Sequence, residues 1–354
     1  MSGKGRRIAL AVAAALAMAL LAVQSASLID WAGLVAPGGR EHLRLAAYEG
    51  DVGALEWIAA DKGFFGKEGL DVEMTGYASG KEAMDALKSG QTDVATAADF
   101  VVAAGSFADS GLRVVGNISY YRNKGIVGRR DHGVYGPADL KGKRIALTSP
   151  SGAEYTLYVF LAVNGMSDKD VTTVNLLPPD IVDAMTRGTV DAAITWQPHV
   201  QALQNRLGAN AVTFEGSVFD VYLLLATRAE LLATKDKAIR KLLKALVLAE
   251  EWARTNPEQA RALIAGRFKL DGPAIEVQWR RMQLAVTLPQ GLLVAMDGEA
   301  RWLAAREGRQ PTDIPNFANV VAADALRAVK PSAVTLFTED KPASRLNGSA
   351  VAAR

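Results

Sequence analysis

Residues 85–95 read DALKSGQTDVA and residues 183–193 read DAMTRGTVDAA, so Asp85, Gly90, Asp93 and Ala95 recur as Asp183, Gly188, Asp191 and Ala193. In each copy an amphipathic helical stretch stops at a glycine, the residue that best tolerates the left-handed backbone ending many helices. A short apolar run follows, VATAA in one copy and AAITW in the other, suited to a buried parallel strand. One helix-turn-strand unit written twice predicts two similar α/β lobes facing each other. A cleft between lobes is a place to hold a small molecule.

With 354 residues, 49% of them hydrophobic and 22% charged, the chain is long enough for one to three domains with sizeable cores. The formal net charge is +2 and the basic residues are scattered, with no basic stripe interleaved with aromatics, so nucleic acid is not an expected partner. Cysteine is absent, which excludes disulfides, thiolate metal sites, a cysteine nucleophile and a lipid-modified cysteine. At the beginning, Lys4, Arg6 and Arg7 precede an apolar run over residues 8–23, and QSAS follows. Residues 1–26 therefore read as a signal peptide or, if uncleaved, as an N-terminal anchor. Both readings place the globular part outside the cytoplasm, in the periplasm, free or anchored to the inner membrane.

Short apolar runs alternate with amphipathic helical stretches from residue 43 to about residue 208, the signature of an α/β fold with parallel strands. KGIVGRR is expected to carry the chain into a second lobe and FDVYLLLATR to bring it back. From residue 229 to about residue 330 the period is helical almost throughout, and beyond it the small polar residues read as a disordered tail. The expected organisation is a discontinuous first lobe over 43–124 and 222–330, an inserted second lobe over 125–221, and a tail over 331–354.

Two loops after strands read Ser79-Gly80-Lys81-Glu82 and Ser151-Gly152-Ala153-Glu154, each spelling a capping box. They lie at carboxyl ends of strands and at helix N-termini, where open sheets bind ligands and free amides favour anions or polar heads. The glycines are expected to let a ligand approach. A third glycine-bearing turn carries Tyr48, Glu49 and Asp51; the third strand ends in Ala98 and Asp99, and its twin in Trp196, which reads either as core packing or as a flat wall for a ligand. Tyr120, Ser149 and Asp220 stand at further strand ends and crossovers. No catalytic constellation emerges: His42, His132 and His199 lack metal-ligand spacing and read as surface or capping residues. There is no G-x-S-x-G elbow, Walker loop or dinucleotide fingerprint. The carboxylates Glu49, Asp99, Glu154 and Asp220 would be acids or bases only if the fold brought them together. Neither metal nor cofactor is expected.

With these residues assembled, the chain resembles the extracytoplasmic solute-binding proteins of ABC importers, in the nitrate, sulfonate and taurine group that includes the pyrimidine-precursor binders. The resemblance is carried by GFFGKEGLDVE (63–73), LKSGQTD (87–93), ADLKGKRIA (138–146) and RGTVDAAITWQP (187–198). It covers residues 43–228 well and the helical remainder loosely. It implies a type II periplasmic-binding-protein fold, two α/β lobes that close about a hinge over one ligand, an ABC permease as membrane partner, action as a monomer, and no bond broken. The ligand residues it implies are Tyr48, Glu49, Asp51, Ser79, Gly80, Ala98, Asp99, Tyr120, Ser149, Ser151, Gly152, Trp196 and Asp220. Sulfonate binders of the family use backbone amides and hydroxyls for the anion, which Ser79, Gly80, Ser151 and Gly152 supply. Glu49, Asp51, Asp99 and Asp220 depart from that pattern, since they would repel a plain anion such as nitrate. They predict a ligand with an amine, such as an aminosulfonate of the taurine type or an aminopyrimidine. Other readings are an enzyme on the same fold, of the pyrimidine-synthase or menaquinone-route dehydratase type, a regulator's input domain, and the sensing domain of a membrane-anchored partner. The synthases carry cysteine-rich and histidine motifs that this chain lacks.

Overall fold

The structure, a computed structural model, describes residues 39–215, 219–270 and 272–337. The segment read as signal or anchor lies outside these residues. Among the described residues no helix is long and apolar enough to cross a membrane.

Twelve strands form two sheets. The strands are β1 (Glu41–Tyr48), β2 (Leu70–Tyr77), β3 (Val94–Ala98), β4 (Leu112–Tyr121), β5 (Lys124–Arg129), β6 (Arg144–Leu147), β7 (Thr172–Asn175), β8 (Ala192–Trp196), β9 (Ala211–Glu215), β10 (Val221–Arg228), β11 (Met282–Pro289) and β12 (Val334–Thr335). The seven-stranded sheet has the order β12-β11-β4-β10-β3-β1-β2, and the five-stranded sheet the order β7-β6-β8-β5-β9. β1 runs parallel to β2 and β3, as β6 does to β7 and β8. β5 enters the second sheet antiparallel to β8 and β9, and β10 returns antiparallel between β3 and β4. β3 and β8 are buried along all but their last residue, because helices cover both faces of each sheet.

The repeated segment does the same work in both sheets. Gly90 and Gly188 take φ of 76° and 72°, the left-handed conformation that costs a side chain most and glycine least. Asp93 donates its amide to the Arg44 carbonyl at 2.9 Å and accepts the Arg44 amide on its carboxylate at 3.0 Å, clipping β3 to β1. Asp191 makes the same two bonds to Arg144, at 2.9 and 2.8 Å, clipping β8 to β6.

The helical segment Ala229–Thr255, kinked at Lys235 where the backbone leaves the helical region (φ −122°, ψ 23°), lies on the first sheet with Ile239, Leu242, Leu243 and Leu246 fully buried, the i, i+3, i+4, i+7 stripe of an amphipathic helix. A second long helix, Gln290–Glu307, reaches the helix Gly152–Val163 that packs on the second sheet. There the Trp302 ring lies 5.5 Å from Tyr155, 5.7 Å from Tyr158 and 5.9 Å from Phe100, and Arg306 pairs with Glu154 at 2.8 Å.

Two expectations need correction. The helical period over 229–330 is interrupted by β11, in which Ala285, Val286 and Leu288 are buried against the edge of β4. A short apolar run carries no clear period, so it reads equally as strand or helix. The expectation of a disordered tail over 331–354 fails at its start: residues 331–335 form a turn and then β12, which pairs with β11, and Ala333 is buried. The rest of that tail, from residue 338, lies outside the described residues.

Candidate functional site

A cavity of about 570 Å³ opens at the carboxyl ends of the strands, lined from both sheets. From the first sheet come Tyr48, Ser79, Gly80, Ala98, Val101, Tyr121 and Leu223; from the second come Lys124, Thr148, Ser149, Ser151, Gly152, Leu177, Pro178, Trp196 and His199. Strand register explains the grouping. Leu223 stands opposite Ala98 on the antiparallel pair β10–β3, and Lys124 opposite Trp196 on β5–β8, so each pair shares a face. Tyr48 ends β1 with its amide held by Thr96 at 2.8 Å and its carbonyl by the Trp57 indole at 2.9 Å. Burial first, then the charge of Asp51, pushes the pKa of its hydroxyl far up.

Eight of the thirteen residues expected at the site border this cavity: Tyr48, Ser79, Gly80, Ala98, Ser149, Ser151, Gly152 and Trp196. The other five do not, and each has its own reason. Glu49 points to the exposed side and lies against Gly76, where an added Cβ would fall within 2.2 Å of its carboxylate. Asp51 is buried in a separate small space beside Arg122, Gln197 and Gln278, and burial, opposed by the amides of Val52 and Asp51 itself, raises its pKa to about 6. Asp99 is 1% exposed and spends its carboxylate on the amides of Phe100 at 2.9 Å and Tyr222 at 3.1 Å. Tyr120 lies on the opposite face of β4 from Tyr121, bonding Thr287, because successive strand residues alternate in direction. Asp220 pairs with Arg122 at 2.7 Å in a second, polar recess. The acidic cleft expected from Glu49, Asp51, Asp99 and Asp220 is therefore not formed, and the argument for an amine-bearing ligand loses its support.

The two serine loops also part company. Ser79 is a helix cap in the expected sense: its Oγ accepts the Glu82 amide at 3.2 Å and donates to the Glu82 carboxylate at 2.9 Å. Ser151 instead accepts the Ala153 amide at 3.1 Å, and Glu154 turns away to Ser149 at 2.8 Å and Arg306 at 2.8 Å. The glycines serve packing within the protein. A Cβ on Gly80 would lie 2.9 Å from the Ala97 backbone, and one on Gly152 would lie 3.0 Å from the Lys124 ammonium.

Sequence reading left Asn123, Lys124, Leu177, Pro178 and His199 out of the site, and all are on the cavity wall. His199, half-buried at the start of the helix His199–Leu207, stands edge-on to Trp196 with ring centroids 6.5 Å apart, and burial lowers its pKa. Leu177-Pro178-Pro179 sits at the start of a helix, where prolines have an ordinary structural reading. Lys124 is 9% exposed, and nothing in a lone lysine between two strands announces burial. The arrangement can hold a molecule with an apolar body between Tyr48, Tyr121, Trp196 and Leu223 and offer its polar end hydroxyls, amides and one ammonium.

The sequence profile of the NMT1/THI5-like family matches residues 54–260. A Brucella abortus protein named only as a binding protein is 25% identical over 257 residues, covering 70% of this chain and 77% of that one. The taurine-binding periplasmic protein of Escherichia coli is 30% identical over 159 residues, 45% of this chain and 49% of that protein. Among solved structures, the alkanesulfonate-binding protein SsuA of Xanthomonas axonopodis bound to MOPS superposes with a TM-score of 0.68 at 20% identity, over 81% of this chain and 99% of that one. The fold is thus that of the type II periplasmic binding proteins, and the chain belongs to the NMT1/THI5-like family.

Proposed function

We propose that this protein is the substrate-binding component of an ABC importer: it captures a small organic solute between two lobes, each built on one sheet, and delivers it to a membrane permease. The observation that carries this reading is the cavity itself, about 570 Å³ in volume, whose walls come from both sheets. That is the size of sites that enclose organic ligands, roughly 300–1,000 Å³, and a nitrate-sized ion would leave most of it to water. A ligand touching both walls favours the closed arrangement over any open one, which is how binding becomes closure. The chain crosses between the sheets twice, between β4 and β5 and between β9 and β10, and these two connections are the proposed hinge.

Holding rather than breaking a bond suits the wall chemistry, in which the candidate acids Glu49, Asp99, Glu154 and Asp220 do not line the cavity. A sulfonate-type solute fits better than an aminopyrimidine, because the carboxylates that would receive an amine are committed elsewhere. The taurine-binding relative and the apolar run at residues 8–23 support action in the periplasm.

Thermal unfolding in the presence of a panel of sulfonates, amines and pyrimidines tests the reading. A ligand at about a hundred times its Kd adds roughly 2.7 kcal/mol of stability, which a melting curve resolves. No stabilisation by any member of the panel would sink it. Trp196→Ala is expected to weaken the stabilising ligand about tenfold or more while leaving the melting point of the free protein nearly unchanged.

A further inference from the structure

The chain passes between the two sheets twice, and side chains make a further connection beside those passages. It is offered by the helix Gln290–Glu307, which follows β11 of the first sheet, and received by the helix Gly152–Val163, which packs on the second. Tyr155 is its centre. The Tyr155 ring lies 5.5 Å from Trp302, 6.3 Å from Phe100 of the helix Asp99–Ser106, and 5.5 Å from Phe219 on the way from β9 to β10. Tyr158, one turn further along, lies 5.7 Å from Trp302. Each ring pair of this kind adds roughly a factor of two to ten to an equilibrium that keeps the rings together.

Charge crosses the same seam at two places. Arg306, whose guanidinium stands 5.5 Å from the Trp302 ring, pairs at 2.8 Å with Glu154, which is 6% exposed. So sheltered an acid sets this pair apart from the solvated surface pairs that contribute little. The other oxygen of Glu154 accepts the Ser149 hydroxyl at 2.8 Å, and Ser149 lines the cavity. One carboxylate therefore touches both the seam and the cavity wall. The second place is Lys124 at the start of β5, answered by the buried carboxylates of Asp99 and Glu299 on the two first-sheet helices.

These contacts bear on opening. A rotation about the two crossovers that drew the second sheet away from the first would part Glu154, Tyr155 and Tyr158 from the helix Gln290–Glu307. The rings and the ion pair thus favour the arrangement in which the lobes touch, before any ligand adds contacts of its own.

We propose that the helix Gln290–Glu307 is a strap that holds the two lobes closed in the ligand-free protein, with Trp302 and Arg306 clasping Tyr155, Tyr158 and Glu154. This rests on the binding-protein reading above and adds its resting state: the lobes are closed at rest, and opening is the step a solute waits for. A solute that fits the closed form then loses little affinity to reorganisation, since most molecules already hold the competent arrangement.

The chain has no cysteine, so spin labels introduced through Asp85→Cys and Asp183→Cys are the only ones the expressed full chain will carry. Both aspartates are exposed, on the helices Gly80–Lys88 and Pro178–Arg187 whose first residues line the cavity from opposite sides. Pulsed dipolar spectroscopy without added ligand reads the distance between them. Wild type should give one short distance, with a longer one in no more than about a tenth of the molecules. Trp302→Ala removes two ring pairs across the seam and should raise the ratio of long to short about tenfold. Arg306→Ala combined with Tyr158→Ala, both at partly exposed positions, should raise it about threefold to tenfold, and decides the matter if Trp302→Ala fails to fold. A wild-type distribution already dominated by the long distance overturns the strap. So do variants whose distributions superpose on that of wild type. Either result leaves the thermal-unfolding test of binding to be read by itself, whereas the expected shift in a chain that no panel member stabilises keeps the strap and removes the importer reading.

Discussion

The two copies of the repeated segment use one aspartate for one task and differ in what answers its charge. Asp93, with a side chain 2% exposed, is met by Arg44 at 2.8 Å and Lys235 at 2.8 Å. Asp191, 24% exposed, is met only by His132 at 2.8 Å. The backbone clip is common to both, so it belongs to the unit itself. These partners are local additions, and Lys235 stands at the kink of the helical segment Ala229–Thr255, which packs on the first sheet. A carboxylate buried more deeply needs more positive charge to remain ionised. The copy beneath the long helix is thus the more strongly charged of the two.

Removing the aspartates should expose this difference most directly. Asp93→Ala strands two cations and opens the β1–β3 clip, and is expected to cost about 3 kcal/mol, the lower part of the range for a broken buried pair because Arg44 and Lys235 reach water. Urea unfolding measures it, and a loss no larger than that of the Asp191 variant would erase the distinction. The glycines come next and reverse the order. A Cβ at Gly188 would meet the His132 ring at 3.2 Å, whereas one at Gly90 has only Arg228 within reach at 3.7 Å. Both carry the left-handed cost of about 1–2 kcal/mol, so Gly188→Ala should fall at the upper end and Gly90→Ala at the lower. Asp191→Ala should follow, with about 1 kcal/mol lost, since its partners are few and partly solvated.

The smallest effect is in acid. For Asp93, burial alone would raise the pKa, but the bonds from Arg44 and Lys235 outweigh it and hold the group well below its ordinary 3.8. Asp191 is lowered too, by the Arg144 amide and His132 against burial. A carboxylate depressed in the folded state adds stability above its unfolded pKa and loses it as pH falls through the folded one. Both contributions are therefore complete above about pH 4 and drain away below it, Asp93 persisting to the lower pH. Acid titration of the fold should show Asp93→Asn shifting the midpoint by about half a pH unit and Asp191→Asn by less; equal shifts would contradict the difference in burial.

What could be read in advance follows from what repeats and what alternates. The doubled segment, the capped serine loops and the aromatic at the end of β8 are local patterns, and local patterns are written in the sequence. β11 escaped because MQLAVTLP has no period of its own and becomes a strand only by lying along β4. At the site, proximity in sequence was a fair guide to place and a poor guide to direction. Tyr120 and Tyr121 differ by one residue and face different recesses, and Asp99 follows a cavity residue yet bonds the backbone of β10. Lys124 illustrates the limit: the groups that face it, Gly152 and the carboxylates of Asp99 and Glu299, are distant in the chain.

The strand order also sets a timetable. β4 is made early, β10 covers one of its edges about a hundred residues later, and its other edge waits for residues 282–289. Until then a synthesised chain presents an unpaired strand, and the aromatic ring of Phe100 and Tyr155 stands without Trp302. An uncovered edge is a template for the wrong neighbour. Full protection of the first sheet arrives only with the last stretch of the described chain, so a product truncated shortly before residue 282 should be more prone to self-association than the full chain.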